Sequence, residues 1–391
     1  MKGASKILIL SWFILAQVAN FFLPERPVWD ENLFLDEVMR FGENYVPGLD
    51  EIRNLQSPMG PVYFILYGFI GKLTGFSLFW MRSLHLVLGL FLLLTVDRLL
   101  KRCLRRVILM LIFILNPYFL IMIAPLLYTD VIGLIFVFAG MLFFTEHKNF
   151  VVAGILWGFA ICTRQLFVII PLAALAFELY HFIVNKEVRW RALPAGFIPF
   201  IMFLPLFVLW GYDLNSGAFG SGRFEENTLA AFSFSLKAFN YSLILLGIYA
   251  IPVLYRKFGF IFRKPSYPLA ALALLLSIAG FPVNVNSGMQ YGNLPDTAGL
   301  LDILFTRLWY LKYVIVPALL YWGLIYLIES VRIFIKGKSV FLVFLVFLFI
   351  ILETVYSYCW DKHFILVIPI VFMISDKIRK DEFKLISLKA G

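Results

Sequence analysis

The stretch SLFWMRSLHLVLGLFLLLTVDRLLKRCLRR, residues 77–106, decides the fold class of this chain. Its apolar run, 78–97, has about the 20 residues that a helix needs to cross a bilayer. The block that follows, Arg98 to Arg106, holds five basic residues. Short loops rich in Lys and Arg favour the cytoplasmic side of a membrane. The stretch therefore predicts a membrane-spanning helix that ends at the cytoplasm.

The composition of the whole chain supports this interpretation. Of its 391 residues, 62% are hydrophobic and 15% are charged, whereas a soluble domain has about 45–50% apolar and about 25% charged residues. The three cysteines, Cys103, Cys162 and Cys359, have no metal-ligand spacing and cannot build a disulfide framework. These features exclude a soluble enzyme, a disordered protein and a disulfide scaffold.

Twelve apolar stretches predict an all-α, polytopic integral membrane protein with about 12 transmembrane helices. They are centred near residues 7–24, 78–97, 107–126, 131–145, 150–163, 166–184, 193–211, 239–255, 267–283, 308–328, 340–357 and 364–375. The first stretch lacks a small-residue cleavage site, so we expect an anchor rather than a signal peptide. The chain is expected to form one transmembrane domain, 1–375, and a short basic cytoplasmic tail, 376–391.

Most of the 34 Lys and Arg residues fall in loops on one side, which places both termini in the cytoplasm. The first outer loop, about 25–77, is the longest and is acidic. Its stretch Gly60 to Gly75 is apolar but too short and too rich in glycine for a membrane span, and it predicts an amphipathic helix at the interface. Two further outer loops cover 212–237 and 284–307.

Charged residues at membrane depth are costly and are candidates for function. Six of them lie at the outer ends of predicted helices: Arg82, Asp130, Arg164, Glu353, Asp361 and Lys362. We expect them to converge on one outward-facing cavity below the first loop. Acids and bases under an amphipathic lid suit transfer chemistry on a lipid-linked substrate.

The acidic pair Asp36-Glu37 lies early in the first loop. One of its carboxylates can act as a general base on an acceptor hydroxyl, or the pair can simply cap a short helix. Arg82 begins a helix, where a cation opposes the macrodipole. We therefore expect it to have an anionic partner, either a protein carboxylate such as Asp36 or Asp130 or a lipid phosphate.

Two further motifs allow a binding role and a structural role. Tyr128 and Asp130 can orient a sugar or an acceptor, although Thr129 or Asp130 can also cap the next helix. Arg164 interrupts an apolar run, where its guanidinium can bind a phosphate or snorkel to the headgroups.

The last outer turn also carries candidate residues. There Lys362 and His363 can neutralise a leaving phosphate and Trp360 can stack on a sugar; the alternative is an aromatic-belt anchor. The histidines form no metal-ligand cluster, so neither a metal nor another cofactor is expected. No Gly-rich phosphate loop of the nucleotide type is present. The sequence therefore favours a lipid-carried sugar donor.

These motifs, taken in order, resemble the eukaryotic alpha-1,2-glucosyltransferase family (DIE2/ALG10) of the GT-C class. The resemblance covers about residues 30–175, with a fainter match near the end of the chain. It is carried by Leu35-Asp36-Glu37-Val38, Ser57-Pro58-Met59-Gly60-Pro61-Val62-Tyr63, Met81-Arg82-Ser83-Leu84, Tyr128-Thr129-Asp130, Arg164-Gln165 and Asp361-Lys362-His363. The chain departs from the family in being shorter and in lacking the Gly-Asp-Lys run of the third outer loop.

The resemblance implies an inverting transfer of a hexose, glucose or next mannose, from polyprenyl (dolichyl) phosphate to an acceptor hydroxyl of a lipid-linked oligosaccharide or another glycan. It implies that Asp36 is the base and that Glu37 supports it or binds the acceptor. Arg164, with Lys362 and His363, would hold the leaving phosphate, and Arg82 would pair with the acidic cluster or the phosphate. Tyr128, Asp130 and Gln165 would orient the sugar.

Two other functions remain open from the sequence. One is a transporter or flippase of a lipid-linked or small polar substrate; the other is a lipid-linked glycan ligase or polymerase, which would use a diphosphate-linked donor. The partners expected are membrane lipid, the sugar donor and a glycan acceptor, without nucleic acid. The membrane is the inner membrane in a prokaryote or the endoplasmic reticulum in a eukaryote.

Overall fold

A computed structural model describes most of the chain, and all its longer elements are helices. The described residues are 3–28, 31–43, 47–57, 59–123, 126–212, 234–263, 266–281, 297–298, 310–355 and 359–390. The second and third outer loops predicted from the sequence lie largely outside these residues. The Trp360, Asp361 and Lys362 side chains also lie outside the description.

The α-helices are numbered here in chain order within the described residues. They are α1 Ala4–Phe21, α2 Glu31–Glu43, α3 Leu49–Arg53, α4 Pro61–Leu73, α5 Leu78–Leu99, α6 Arg106–Ile114, α7 Asp130–Leu142, α8 Phe150–Thr163, α9 Ile169–Asn185, α10 Leu193–Leu209, α11 Leu236–Arg263, α12 Tyr267–Ala279, α13 Lys312–Ile335, α14 Val340–Val355, α15 Asp361–Phe364 and α16 Ile368–Ala390. Short 3-10 helices cover Leu100–Arg102 and Gln165–Val168, and π-helices cover Tyr118–Ile123 and Phe143–His147.

Six helical segments of the described chain are long and apolar enough to cross a membrane. They are Ala4–Phe21, Leu78–Arg102, Asp130–His147, Gln165–Asn185, Leu236–Leu254 and Lys312–Ile335. Five shorter apolar helices accompany them: Pro61–Leu73, Phe150–Thr163, Leu193–Leu209, Tyr267–Ala279 and Val340–Val355. Each of the twelve predicted stretches contains helix, and the chain has the character of an α-helical membrane protein. The number of twelve spans stays a prediction.

The chain divides into two compact units. Unit 1 contains Met1–Lys101 and Met110–Asn227, and unit 2 contains Arg102–Leu109 and Thr228–Gly391. In unit 1, α8 packs against α10 and α7, α5 packs against α1 and α7, and α2 packs against α4. Each of these contacts buries one apolar face of a helix, which is why the fully buried side chains include Trp157, Tyr63 and Phe138.

In unit 2, α11 packs against α13, α14 and α16. The α11–α13 contact is close because a Cβ atom at Gly323 would lie 2.0 Å from the Leu243 carbonyl oxygen, which only glycine tolerates. Small residues of this kind bring helix backbones together in membrane proteins. Two two-residue strands, β1 Thr297–Ala298 and β2 Cys359–Trp360, pair in parallel in the same unit.

Two elements differ from the prediction in their extent. The stretch 107–126 is broken after α6 because Pro117 cannot continue a helix. The Asn116 side chain accepts hydrogen bonds from the Tyr118 and Phe119 N–H groups at 3.0 and 3.1 Å and starts the next turn. At the other end of the chain, α16 continues through the predicted tail to Ala390.

Candidate functional site

The first-loop helices α2, α3 and α4 contact one end of the unit 1 helices. The Gly60 N–H, just before α4, donates to the Thr163 carbonyl oxygen at the end of α8, at 3.0 Å. The Trp210 Nε1 atom, just after α10, donates to the Ile52 carbonyl oxygen in α3 at 2.9 Å. This end of the unit holds most of the site residues that the sequence singled out, and it is the end predicted to face outward.

Arg82 and Glu31 form a buried, bidentate ion pair at this end. Arg82 Nε and Nη2 donate to Glu31 Oε1 and Oε2 at 3.0 and 2.5 Å, and both side chains are at most 1% exposed. Arg82 also donates to the Pro24 and Arg26 carbonyl oxygens at 2.8 and 3.1 Å. The Glu31 oxygens in turn accept hydrogen bonds from the Leu127 and Val28 N–H groups, at 3.1 and 2.9 Å. The pair therefore fastens α2, α5 and the segment before α7 to one another.

Arg82 has an anionic protein partner, as its place at a helix start predicts, and that partner is Glu31 rather than Asp36 or Asp130. The reason is geometric: Glu31 begins α2 and faces inward, Asp36 lies on the exposed face of α2, and Asp130 is paired elsewhere. Glu31 is a site residue that sequence reasoning missed.

Asp130 and Arg164 form a second buried ion pair, between Arg164 Nη1 and Asp130 Oδ1, with side chains 7% and 10% exposed. Asp130 is the first residue of α7, where an anion also interacts favourably with the helix macrodipole. Thr129 is at the cap position but makes no capping hydrogen bond with its side chain. Asp130 lies inside α7 rather than at its cap position, and the Arg164 side chain is buried in an ion pair instead of extending to the lipid headgroups. The following residue, Gln165, begins a 3-10 helix and is half-buried.

Aromatic residues of α4 connect the two ion pairs. The Tyr63 hydroxyl donates to the Leu127 carbonyl oxygen at 2.6 Å, three residues before Asp130. One turn later, the Tyr67 hydroxyl is hydrogen-bonded to His85 Nδ1, and the Tyr63 and Tyr67 rings lie 4.5 Å apart. Tyr128 is 2% exposed and packs edge-on against Phe34. Sequence reasoning missed Tyr63, Tyr67 and His85; the signal was the i, i+4 spacing of the two tyrosines, which puts them on one helix face.

Asp36 and Glu37 lie in the middle of α2, which begins at Glu31, so they do not cap it. Glu37 faces inward, is 7% exposed and accepts from Arg40 Nη2 at 2.5 Å. Burial raises the pKa of the Glu37 carboxyl, and the Arg40 guanidinium offsets only part of that rise. Asp36 is exposed, and its carboxylate has no hydrogen-bond or ion-pair partner among the described residues.

The raised pKa of Glu37 predicts how its replacement responds to pH. A carboxyl whose pKa is raised by folding stabilises the folded state below its ordinary pKa of about 4.3, and this contribution is lost as pH rises through the folded pKa. Because glutamine does not ionise, the variant Glu37→Gln avoids this loss. We therefore expect the melting temperature of Glu37→Gln, relative to that of the wild type, to rise as the pH increases from 4 to 8. A gain that shrinks with rising pH would show instead that the pair with Arg40 dominates.

Gly60 allows α4 to reach the Arg164 turn. A Cβ atom at this position would lie 1.9 Å from the Cys162 carbonyl oxygen, which is backbone and cannot move aside. We expect Gly60→Ala to lower stability by about 1–3 kcal/mol and to increase maleimide labelling of the buried Cys162. Gly48→Ala is the matched control, because its Cβ atom meets only the Glu51 side chain at an ordinary 3.5 Å. Equal behaviour of the two variants would contradict this role.

Unit 2 carries a smaller cluster of its own. His363 Nδ1 lies 3.0 and 3.2 Å from the two oxygens of Glu353, which is 2% exposed at the end of α14. The backbone of Trp360 belongs to β2 and that of Lys362 to α15. His363, from the last outer turn, and Glu353, from α14, are therefore the predicted site residues of unit 2 whose side chains are seen in contact.

No candidate metal site is found in the part of the chain that is described. Its His, Cys, Asp and Glu residues form no group of three that could hold a metal ion. Comparison with known proteins found no matching family model, no matching curated protein and no matching solved structure.

Proposed function

We propose that this chain is a membrane glycosyltransferase with a twelve-span, GT-C-like fold. It moves a hexose, glucose first and mannose next, from polyprenyl phosphate to an acceptor hydroxyl, with inversion, on the extracytoplasmic face. The observation that carries the proposal is the arrangement around α2. Two buried ion pairs, Arg82–Glu31 and Arg164–Asp130, lie at the helix ends below it. The carboxylate of Asp36, which has no partner among the described residues, is exposed on its surface.

This arrangement suits a single displacement. The Asp36 carboxylate takes the proton of the acceptor hydroxyl while the oxygen attacks the anomeric carbon of the donor sugar. The bond from that carbon to the phosphate oxygen breaks, and polyprenyl phosphate leaves with the electron pair. The leaving group is already stable as an anion, so the step needs no acid from the protein. An exposed base on a helix is accessible to a bulky acceptor, which a buried one is not.

The buried residues have a positioning role in this proposal. Arg82 is engaged by Glu31 and by two carbonyl oxygens, so its role is to fix the first loop rather than to bind phosphate. Arg164, which is paired with Asp130, would contact the donor phosphate, and Tyr128, Asp130 and Gln165 would orient the sugar. The roles that the resemblance implies for Trp360, Lys362 and His363 belong to unit 2 and stay predictions.

The test is transfer of label in membranes that contain the full-length chain. Polyprenyl phosphate glucose, polyprenyl phosphate mannose and other hexoses are offered in parallel with an extract of lipid-linked and protein glycan acceptors. The proposal expects transfer from one monophosphate donor. Transfer from diphosphate-linked donors alone would favour a ligase or polymerase. Counterflow of substrate in proteoliposomes without covalent transfer would favour a transporter.

A further inference from the structure

Lys312, in unit 2, is a buried cation without a carboxylate partner in the described part of the chain. It is the first residue of α13 and only 5% exposed. Three other cationic side chains at helix ends are open to water: Arg53, Arg98 and Lys336 are 58%, 55% and 48% exposed. The buried cations at helix ends that are described above, Arg82 and Arg164, each have a carboxylate partner. Lys312 therefore does not snorkel as a long cationic side chain at a membrane surface ordinarily does.

Two aromatic rings are the groups that the described structure places around its charge. Lys312 Nζ lies 5.5 Å from the centre of the Phe281 ring and 5.0 Å from that of Tyr313. The Phe281 position is fixed, because Asn240 Nδ2 donates to the Gly280 and Leu276 carbonyl oxygens at 2.7 and 2.8 Å. The rings thus form the walls of a built site around an ammonium group.

These rings do not balance the charge that they enclose. Burying an ammonium group is costly unless a hydrogen-bonded anion accompanies it, and cation–π contacts repay only part of that cost. The position of Lys312 adds to the imbalance, since the N-terminal end of α13 carries the positive end of the helix macrodipole. The local potential is that of a site for an anion.

We propose that Lys312 binds the phosphate group of a lipid. The helix that it begins is a candidate membrane span, and the first residue of such a helix is expected at the level of the lipid headgroups. Next to it, Tyr310, Tyr313 and Val314 are 56%, 61% and 72% exposed, as expected for residues in contact with lipid. The ligand is either polyprenyl phosphate or an anionic phospholipid, which share this chemistry. The inference goes beyond the proposed transfer and does not depend on it.

The test is binding to the full-length protein in a detergent that carries no phosphate. The probes are polyprenyl phosphate, the polyprenol of the same length, phosphatidic acid and inorganic phosphate. We expect one or both phosphate lipids to bind, with polyprenol and inorganic phosphate much weaker. The lipid that binds more tightly identifies the source. Because no acceptor is present, the outcome is independent of transferase activity.

Variants of Lys312 identify the site. Lys312→Met should weaken phosphate-lipid binding about tenfold or more, as expected for the loss of one charge-assisted hydrogen bond, and Lys312→Arg should retain most of it. Lys336→Met is the control, since Lys336 lies just after the other end of α13 and pairs with Asp381. Unchanged binding in Lys312→Met overturns the proposal. If that variant does not fold, wild-type protein that binds polyprenol as tightly as polyprenyl phosphate, or that binds no probe, overturns it equally.

Discussion

Arg82→Leu is expected to lower the free energy of unfolding of the protein by about 3–5 kcal/mol, because it leaves Glu31 charged and buried without its cation. That loss is a large part of the roughly 5–15 kcal/mol that stabilises a typical protein. The Val28 and Leu127 N–H groups would still donate to Glu31, but they cannot neutralise it. The measurement is denaturation in detergent, followed by tryptophan fluorescence.

The control for this prediction is Arg53→Leu. Arg53 is 58% exposed and lies 3.8 Å from Asp50, which is 89% exposed, and such a surface pair contributes about 0–1 kcal/mol. Glu31→Gln should fall between the two, since the amide keeps an acceptor oxygen for Arg82 but removes the charge. If Arg82→Leu were no more destabilising than Arg53→Leu, the ion pair would not fasten the first loop.

The helical character of the chain was predictable because a backbone in lipid must satisfy its own hydrogen bonds, and runs of about 20 apolar residues do so only as helices. The extent of individual helices was less predictable. α16 runs past the apolar stretch because Asp376 pairs with Arg379 and Lys380 on the next turn, which supports helix in a charged segment. Pro117 indicates a helix break in the sequence itself, whereas the predicted span, 107–126, continues across it.

The candidate site was predictable in its residue types but not in its pairings. Asp36 and Glu31 are five residues apart, which rotates their side chains by about 140° around α2. The sequence contains both carboxylates and cannot show which face of the helix meets Arg82, because that choice depends on how α4 and α5 pack. Likewise, Asp130 and Arg164 are 34 residues apart, and only the packing of α7 against α8 brings them together.

The acid on the exposed face of α2 leads to the prediction with the largest effect on activity. Asp36→Asn is expected to reduce hexose transfer by about 10²–10⁴-fold, the usual contribution of a general base. The change keeps the size of the side chain, and Asp36 has no described partner to lose, so stability and donor binding should stay at their wild-type values. Transfer and melting are measured on the same preparation.

Two variants make this result specific to Asp36. Asp50→Asn removes an acid of the same loop that is 89% exposed, and it should leave transfer unchanged. Glu37→Gln removes the neighbouring acid, whose carboxylate is committed to Arg40, and it should reduce transfer less than Asp36→Asn. If Asp36→Asn kept full transfer at neutral pH and Glu37→Gln lost transfer, the general base would be Glu37 and not Asp36. That outcome would mean that the acceptor displaces Arg40 to reach a buried carboxylate, instead of meeting an exposed one.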